Sequence, residues 1–249
     1  MLLHRLLLAA LALLMTAAAP AADQYDVEII VYASLEPDTG EEYWPALESG
    51  PDLASAWYFD HTPALQPLPR KAYRLDAIAG ALARSRQYRP LLHFAWRQPG
   101  WERDAALPVR VNIPIGANLP VYPESHPLRA PGTVTAPSGL SPESALRGEM
   151  QLLEGTLMVY RSRYLHLVAD LVYQERLGPS ADSSPYAEDG GVVYQPIRMQ
   201  QSRRMRSNEL HYLDHPRLGV IARITPVEAA EPSENAANTA EPPDASPTE

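Results

Sequence analysis

Two alternating runs separated by three polar residues constrain this chain more than any other feature. In 164–173, Leu165, Leu167, Ala169 and Leu171 take one face, and Tyr164, His166, Val168 and Asp170 take the other. The run 152–160 alternates in the same way. A period of two marks a strand with one buried face. The intervening Arg161-Ser162-Arg163 reads as the turn of a β-hairpin. A chain holding such a pair must bury the apolar face against a second layer.

Further strands follow from the same pattern. Val27, Ile29 and Val31 share one face of 25–32. After Pro90, Leu92, Phe94 and Trp96 face one side, while Leu91, His93, Ala95 and Arg97 face the other. The segments 107–115, 192–200 and 218–224 add shorter runs. Leu75, Ile78, Ala79 and Leu82 recur instead at helical spacing, which predicts an amphipathic helix. Gly80 weakens that helix by about 1 kcal/mol relative to alanine. Six or seven strands with short links and one helix predict an α+β fold, a single domain. It is a mostly antiparallel β-sheet with one amphipathic helix packed on it. The Pro-, Gly- and Ser-rich stretch 114–142 reads as a surface excursion.

Both ends separate from this domain. Residues 1–21 carry Arg5, an apolar run and Ala19-Pro20-Ala21, the pattern of a cleaved signal peptide. The apolar run is shorter than the roughly 20 residues of a membrane span, and no later segment qualifies, so no transmembrane segment is expected after cleavage. Residues 226–249 hold no aromatic residue and no base, and read as a disordered acidic tail. The domain is therefore expected over 22–225. Six of the 30 acids lie in the tail and one of the 21 bases in the leader, which leaves 24 against 20, or −4. A mildly acidic domain does not suit nucleic acid. The chain has no Cys, which excludes a disulfide framework and a lipid-bearing thiol. An exported chain of this kind points to the periplasm.

The segment 202–220, SRRMRSNELHYLDHPRLGV, is the densest in chemistry. Arg203, Arg204 and Arg206 run into Glu209, His211, Asp214 and His215, and the stretch reads as a turn or loop between strands. Arginine grips a carboxylate through two parallel N–H bonds, so this is the candidate ligand-binding cluster. Arg161, Arg163 and His166 are secondary candidates. If 202–206 is extended, Arg204 and Arg206 share a face and Arg203 points away. The alternative is that these arginines pair with Glu209, Asp214 and Asp170 inside the fold. Trp44, Trp57, Tyr58 and Trp101 lie in or beside loops, where they pack the loop or stack on sugar rings.

Three blocks carry a resemblance: LLHFAWRQP at 91–99, RYLHLVADL at 163–171 and SRRMRSNELHYLDHPRLGV at 202–220. Together with YDVEIIVY at 25–32, they resemble the CsiV family of periplasmic peptidoglycan-binding proteins. The resemblance implies a non-enzymatic protein of Gram-negative cell wall biogenesis and cell shape, with no catalytic residue and no cofactor. It would bind peptidoglycan and act as an adaptor that promotes a peptidoglycan synthase with an outer-membrane lipoprotein activator.

Two other readings stay open. His211 and His215, four apart, would share one face of a helix, which suits a zinc-dependent periplasmic hydrolase. Glu209 precedes the pair, however, so the HExxH pattern is absent, and Asp214-His215-Pro216 resembles a turn. The third reading is a chaperone-like module that binds extended peptides at a sheet edge.

Overall fold

The computed structural model describes residues 23–35, 47, 49–58, 62–117, 119, 150–179 and 192–228. The leader, the tail beyond 228 and most of the Pro-rich excursion lie outside the described residues.

The strands divide between two antiparallel sheets. The first contains β1 (Gln24–Ser34), β2 (Gln66–Pro67), β3 (Tyr88–Pro99), β8 (Leu210–Asp214) and β9 (Leu218–Pro226), in the order β2-β3-β1-β9-β8. The second contains β4 (Val109–Pro114), β5 (Gln151–Arg161), β6 (Leu165–Pro179) and β7 (Val192–Met205), in sequence order. The expected α+β architecture holds, and the expected hairpin is β5–β6, closed by 162–164. The antiparallel strands split because each sheet buries one apolar face against the other. Val27, Ile29 and Val31 of β1 and Phe94 and Trp96 of β3 meet Leu157, Leu167 and Leu171 of β5 and β6 in one core. Each large side chain so buried is worth about 1.5–3 kcal/mol.

One polar bridge crosses this core. Gln98 is 1% exposed. It accepts the Trp96 indole N–H at 2.7 Å and donates to the Val159 carbonyl of the opposite sheet at 3.0 Å. The bridge satisfies buried polar groups that would otherwise carry a desolvation cost. Gly155 marks the tightest approach within the second sheet. It has φ +153°, and a Cβ there would lie 2.1 Å from the Asp170 carbonyl oxygen of β6.

The one α-helix among the described residues, α1 (Asp76–Arg84), packs on the outer face of the five-stranded sheet. Leu75 and Ala79 close over Ile30 and Ile221 in a small second core, flanked by Ile78 and Leu82. These are the residues whose helical spacing predicts the element. The molecule is thus a β-sandwich with a helix on one outer face and the four-stranded sheet's outer face uncovered by any described helix.

The segment 202–220 departs from its sequence reading. It is not a loop: 202–205 completes β7 and Leu210–Asp214 forms β8. Over 202–214 the buried residues are only Met205 and Leu213, because β7 and β8 border their sheets. A border strand exposes most of its polar side chains and so resembles a loop in composition.

Candidate functional site

The arginine–aromatic cluster forms where the β5–β6 hairpin turns. Tyr160, His166 and Arg204 sit directly opposite one another on β5, β6 and β7, pointing to the outer face. The Tyr160 and His166 rings stack with centroids 4.7 Å apart and planes only 5° from parallel. Arg103 reaches over the Tyr160 ring at 5.4 Å and bonds its hydroxyl at 3.3 Å. Tyr164, 42% exposed at the hairpin turn, carries Arg204 at 4.6 Å and Arg163 at 5.6 Å. Both arginines are exposed, and neither makes an ion pair among the described residues. A guanidinium held over a ring face, with no carboxylate partner, has N–H groups left for a ligand. The platform can therefore hold a carboxylate in two-point fashion beside stacked rings.

The structure thus brings together Arg204 of the primary cluster with Arg163 and His166 of the secondary one. The remaining predicted residues go elsewhere. Arg203 is exposed and opposite Leu167, on the other face of β7 from Arg204. Arg206 begins the turn to β8 and approaches Glu209 at 3.6 Å, both well exposed, a contact of small value. In that turn Asn208 takes φ +65°, which Asn tolerates. His211 Nε2 accepts the Arg206 backbone N–H at 3.0 Å, and His215 Nδ1 accepts that of Arg217 at 3.2 Å. Asp214 contributes its carbonyl to the Gln201 side-chain amide at 2.6 Å, a tie between the two sheets. Arg161 faces the first sheet and bonds Asp23 at 2.6 Å.

The two alternatives raised by the sequence resolve on geometry. Asp170 binds neither Arg203, Arg204 nor Arg206; it takes Arg198 through two bonds of 2.8 Å. The helical premise for His211 and His215 fails, because His211 lies in strand β8 and His215 in the turn after it. Residues four apart lie roughly 13 Å from each other along a strand. No group of three or more His, Asp or Glu among the described residues could hold a metal ion. Of the loop tryptophans, Trp57 is 45% exposed and bridges to Val109, and Trp101 packs against the core. Trp44 lies outside the described residues.

A second polar constellation lies under the N-terminus of α1. Glu28 of β1 is buried, and its carboxylate accepts the backbone N–H groups of Arg74 at 2.7 Å and Leu75 at 2.9 Å. The His93 Nε2–H donates to the same carboxylate at 2.8 Å. Burial alone would raise the Glu28 pKa; the bonds from His93, Arg74 and Leu75 outweigh it and hold the value below the ordinary 4.5. Arg70 lies over the Tyr73 ring at 4.2 Å, and its guanidinium faces His93 Nδ1 at 3.4 Å. Sequence reasoning missed this site, although a charged residue at position 28 inside an apolar run was a usable signal.

A family model described as peptidoglycan-binding protein, CsiV, matches residues 3–227. The chain belongs to the CsiV family. No curated protein and no solved structure matches it. The CsiV match runs through the Pro-rich excursion and ends at 227, one residue after β9, so the family spans both sheets, α1 and the hairpin platform. Peptidoglycan binding is the family's described property. Among the described residues no helix is long and apolar enough to cross a membrane.

Proposed function

We propose that this protein is a non-enzymatic peptidoglycan-binding adaptor of the periplasm. In this reading it supports a peptidoglycan synthase together with that synthase's outer-membrane lipoprotein activator. The observation that carries the binding step is the pair of exposed guanidinium groups, Arg163 and Arg204, flanking Tyr164 without an ion pair among the described residues. Stem peptides of peptidoglycan end in carboxylates, which fit a forked, forward-facing guanidinium. The stacked Tyr160–His166 pair and Arg103 hold the neighbouring surface rigid. The domain limits 22–225, the leader and the acidic tail belong to the same reading: an exported domain with a solvated tether.

Co-sedimentation of the purified protein with murein sacculi at two salt concentrations tests the reading. Pelleting should weaken with salt, and an Arg163→Ala, Arg204→Ala double variant should pellet less while melting like the parent. Absence of pelleting at either salt would refute murein binding. For the adaptor role, the purified lipoprotein activator should be retained by the immobilised protein, and failure of that capture would remove it.

A further inference from the structure

The outer face of the five-stranded sheet carries a second aromatic surface, on the side of the sandwich away from the arginine platform. Beside the strip that α1 covers, Tyr32 of β1, Tyr88 of β3 and Tyr212 of β8 share that face, as the strand register fixes. Tyr88 is 36% and Tyr212 47% exposed. Tyr32 and Tyr88 meet edge to face, with ring centroids 5.4 Å apart and planes at 87°. Asp214 occupies the same face, opposite Gly219. The Tyr32 ring lies across Gly219: a Cβ there would come within 2.2 Å of the ring's Cζ atom. Glycine at 219 thus lets Tyr32 lie down on the sheet. The groups converge on its phenol, whose pKa is pushed up to about 12 by burial first, then by Asp214, Tyr88 and Tyr212.

We propose that this tyrosine face, Tyr32, Tyr88 and Tyr212 with Asp214, binds the glycan strand of peptidoglycan. The inference rests on the family reading and names the part of the polymer that the second surface takes. Three arguments favour a sugar polymer. The rings span three strand spacings, roughly 14 Å, a shallow and extended surface rather than a closed pocket. Sugar rings present apolar C–H faces that stack on exposed tyrosines, whose hydroxyls stay wet. The polar groups here are phenols and one carboxylate, acceptors for the hydroxyl and N-acetyl amide donors of amino sugars. That set repels the stem-peptide carboxylates which suit the arginine platform. The two outer faces therefore divide the polymer by chemistry, with the peptide on one and the glycan on the other.

The test uses purified protein with two probes, intact sacculi and peptide-free murein glycan strands. Tyr212→Ala alters an exposed ring and should melt like the parent, while Tyr88→Ala also loses the edge-to-face contact with Tyr32 and should melt a few degrees lower. The parent should bind peptide-free glycan, and each alanine variant should bind it about tenfold more weakly, the upper range of one aromatic contact. Tyr212→Phe should keep the affinity, because the ring carries the contact. Gly219→Ala should weaken glycan binding by displacing Tyr32. Binding to sacculi but not to peptide-free glycan would overturn the inference and leave the family reading intact. So would glycan binding that the alanine variants leave unchanged, or capture by this face of the lipoprotein activator alone. Loss of binding to both probes in the parent would refute the murein reading itself.

Discussion

Replacing Glu28 by Gln probes how α1 is fastened to the sheet. The side chains are isosteric, so apolar packing stays intact. The carboxylate accepts three bonds: Leu75 N–H and His93 Nε2–H on one oxygen, and Arg74 N–H on the other. Gln has a single acceptor oxygen. In its best orientation it keeps the Leu75 and His93 bonds, and its NH2 then confronts the Arg74 N–H. One orphaned backbone donor costs about 1–3 kcal/mol, and each bond that loses its charge loses about 1 kcal/mol more. The Arg74 bond is only part-buried, so the sum falls near the low end, about 3 kcal/mol. For a domain of this size that lowers the melting temperature by roughly 6–12 °C. Thermal melts at neutral pH, with hydrogen exchange at Leu75 and Ala79, read both the size and the place of the effect. The pH dependence adds a second reading. A carboxylate held below its ordinary 4.5 contributes stability that is present above that value and lost as pH falls through the folded value. The gap between parent and variant should therefore close below about pH 4.5. A melting shift under about 2 °C, or a gap that ignores pH, would refute the account of Glu28 as the helix anchor.

Three further outcomes follow from single contacts. Gly155→Ala places a Cβ against the Asp170 carbonyl oxygen, and should cost at least about 2 kcal/mol in a denaturant melt. Arg217→Met removes the partner that bonds Glu175 at 2.6 Å. Burial already raises the Glu175 pKa against the pull of Arg217, so the folded state favours the protonated form, and stability should fall as pH rises through that value. The variant should melt progressively lower than the parent as pH rises above the ordinary 4.5, on the order of several degrees, and equal slopes would refute the pairing. The Arg163→Ala, Arg204→Ala pair should reduce the salt sensitivity of sacculus binding as well as its strength, because charged contacts weaken as salt rises.

The sequence made most of the sandwich legible and little of its surfaces. Alternation exposed β5 and β6 because each has one dry and one wetter face, the apolar runs of β1 and β3 showed as strands although both their faces are covered, and helical spacing exposed α1. Periodicity says nothing of which strands share a sheet, so the division into two sheets emerged only from register. The segment 202–220 misled for a physical reason: a border strand bearing Arg203, Arg204 and Gln201 has little to bury and loses its period. Arg204 was legible as an anion ligand from its charge. Its partners, Tyr164 of the hairpin turn and His166 of β6, lie some 40 positions away and became visible only through strand pairing. The same limit hid Tyr32, Tyr88, Tyr212 and Gly219, four residues on four strands with no local signature.

The position of β1 has a consequence for how the chain matures. It lies between β3 and β9, and Tyr25 pairs with Pro226 while Gln24 accepts the Val227 N–H. The first strand made therefore waits for the last. Until β9 emerges from the ribosome, one long edge of β1 offers Val27, Ile29 and Val31 no partner on that side. Contacts so distant along the chain slow folding, because the loop must close before the pairing stabilises it. A nascent chain of this design keeps that edge of β1 open until β9 has been made.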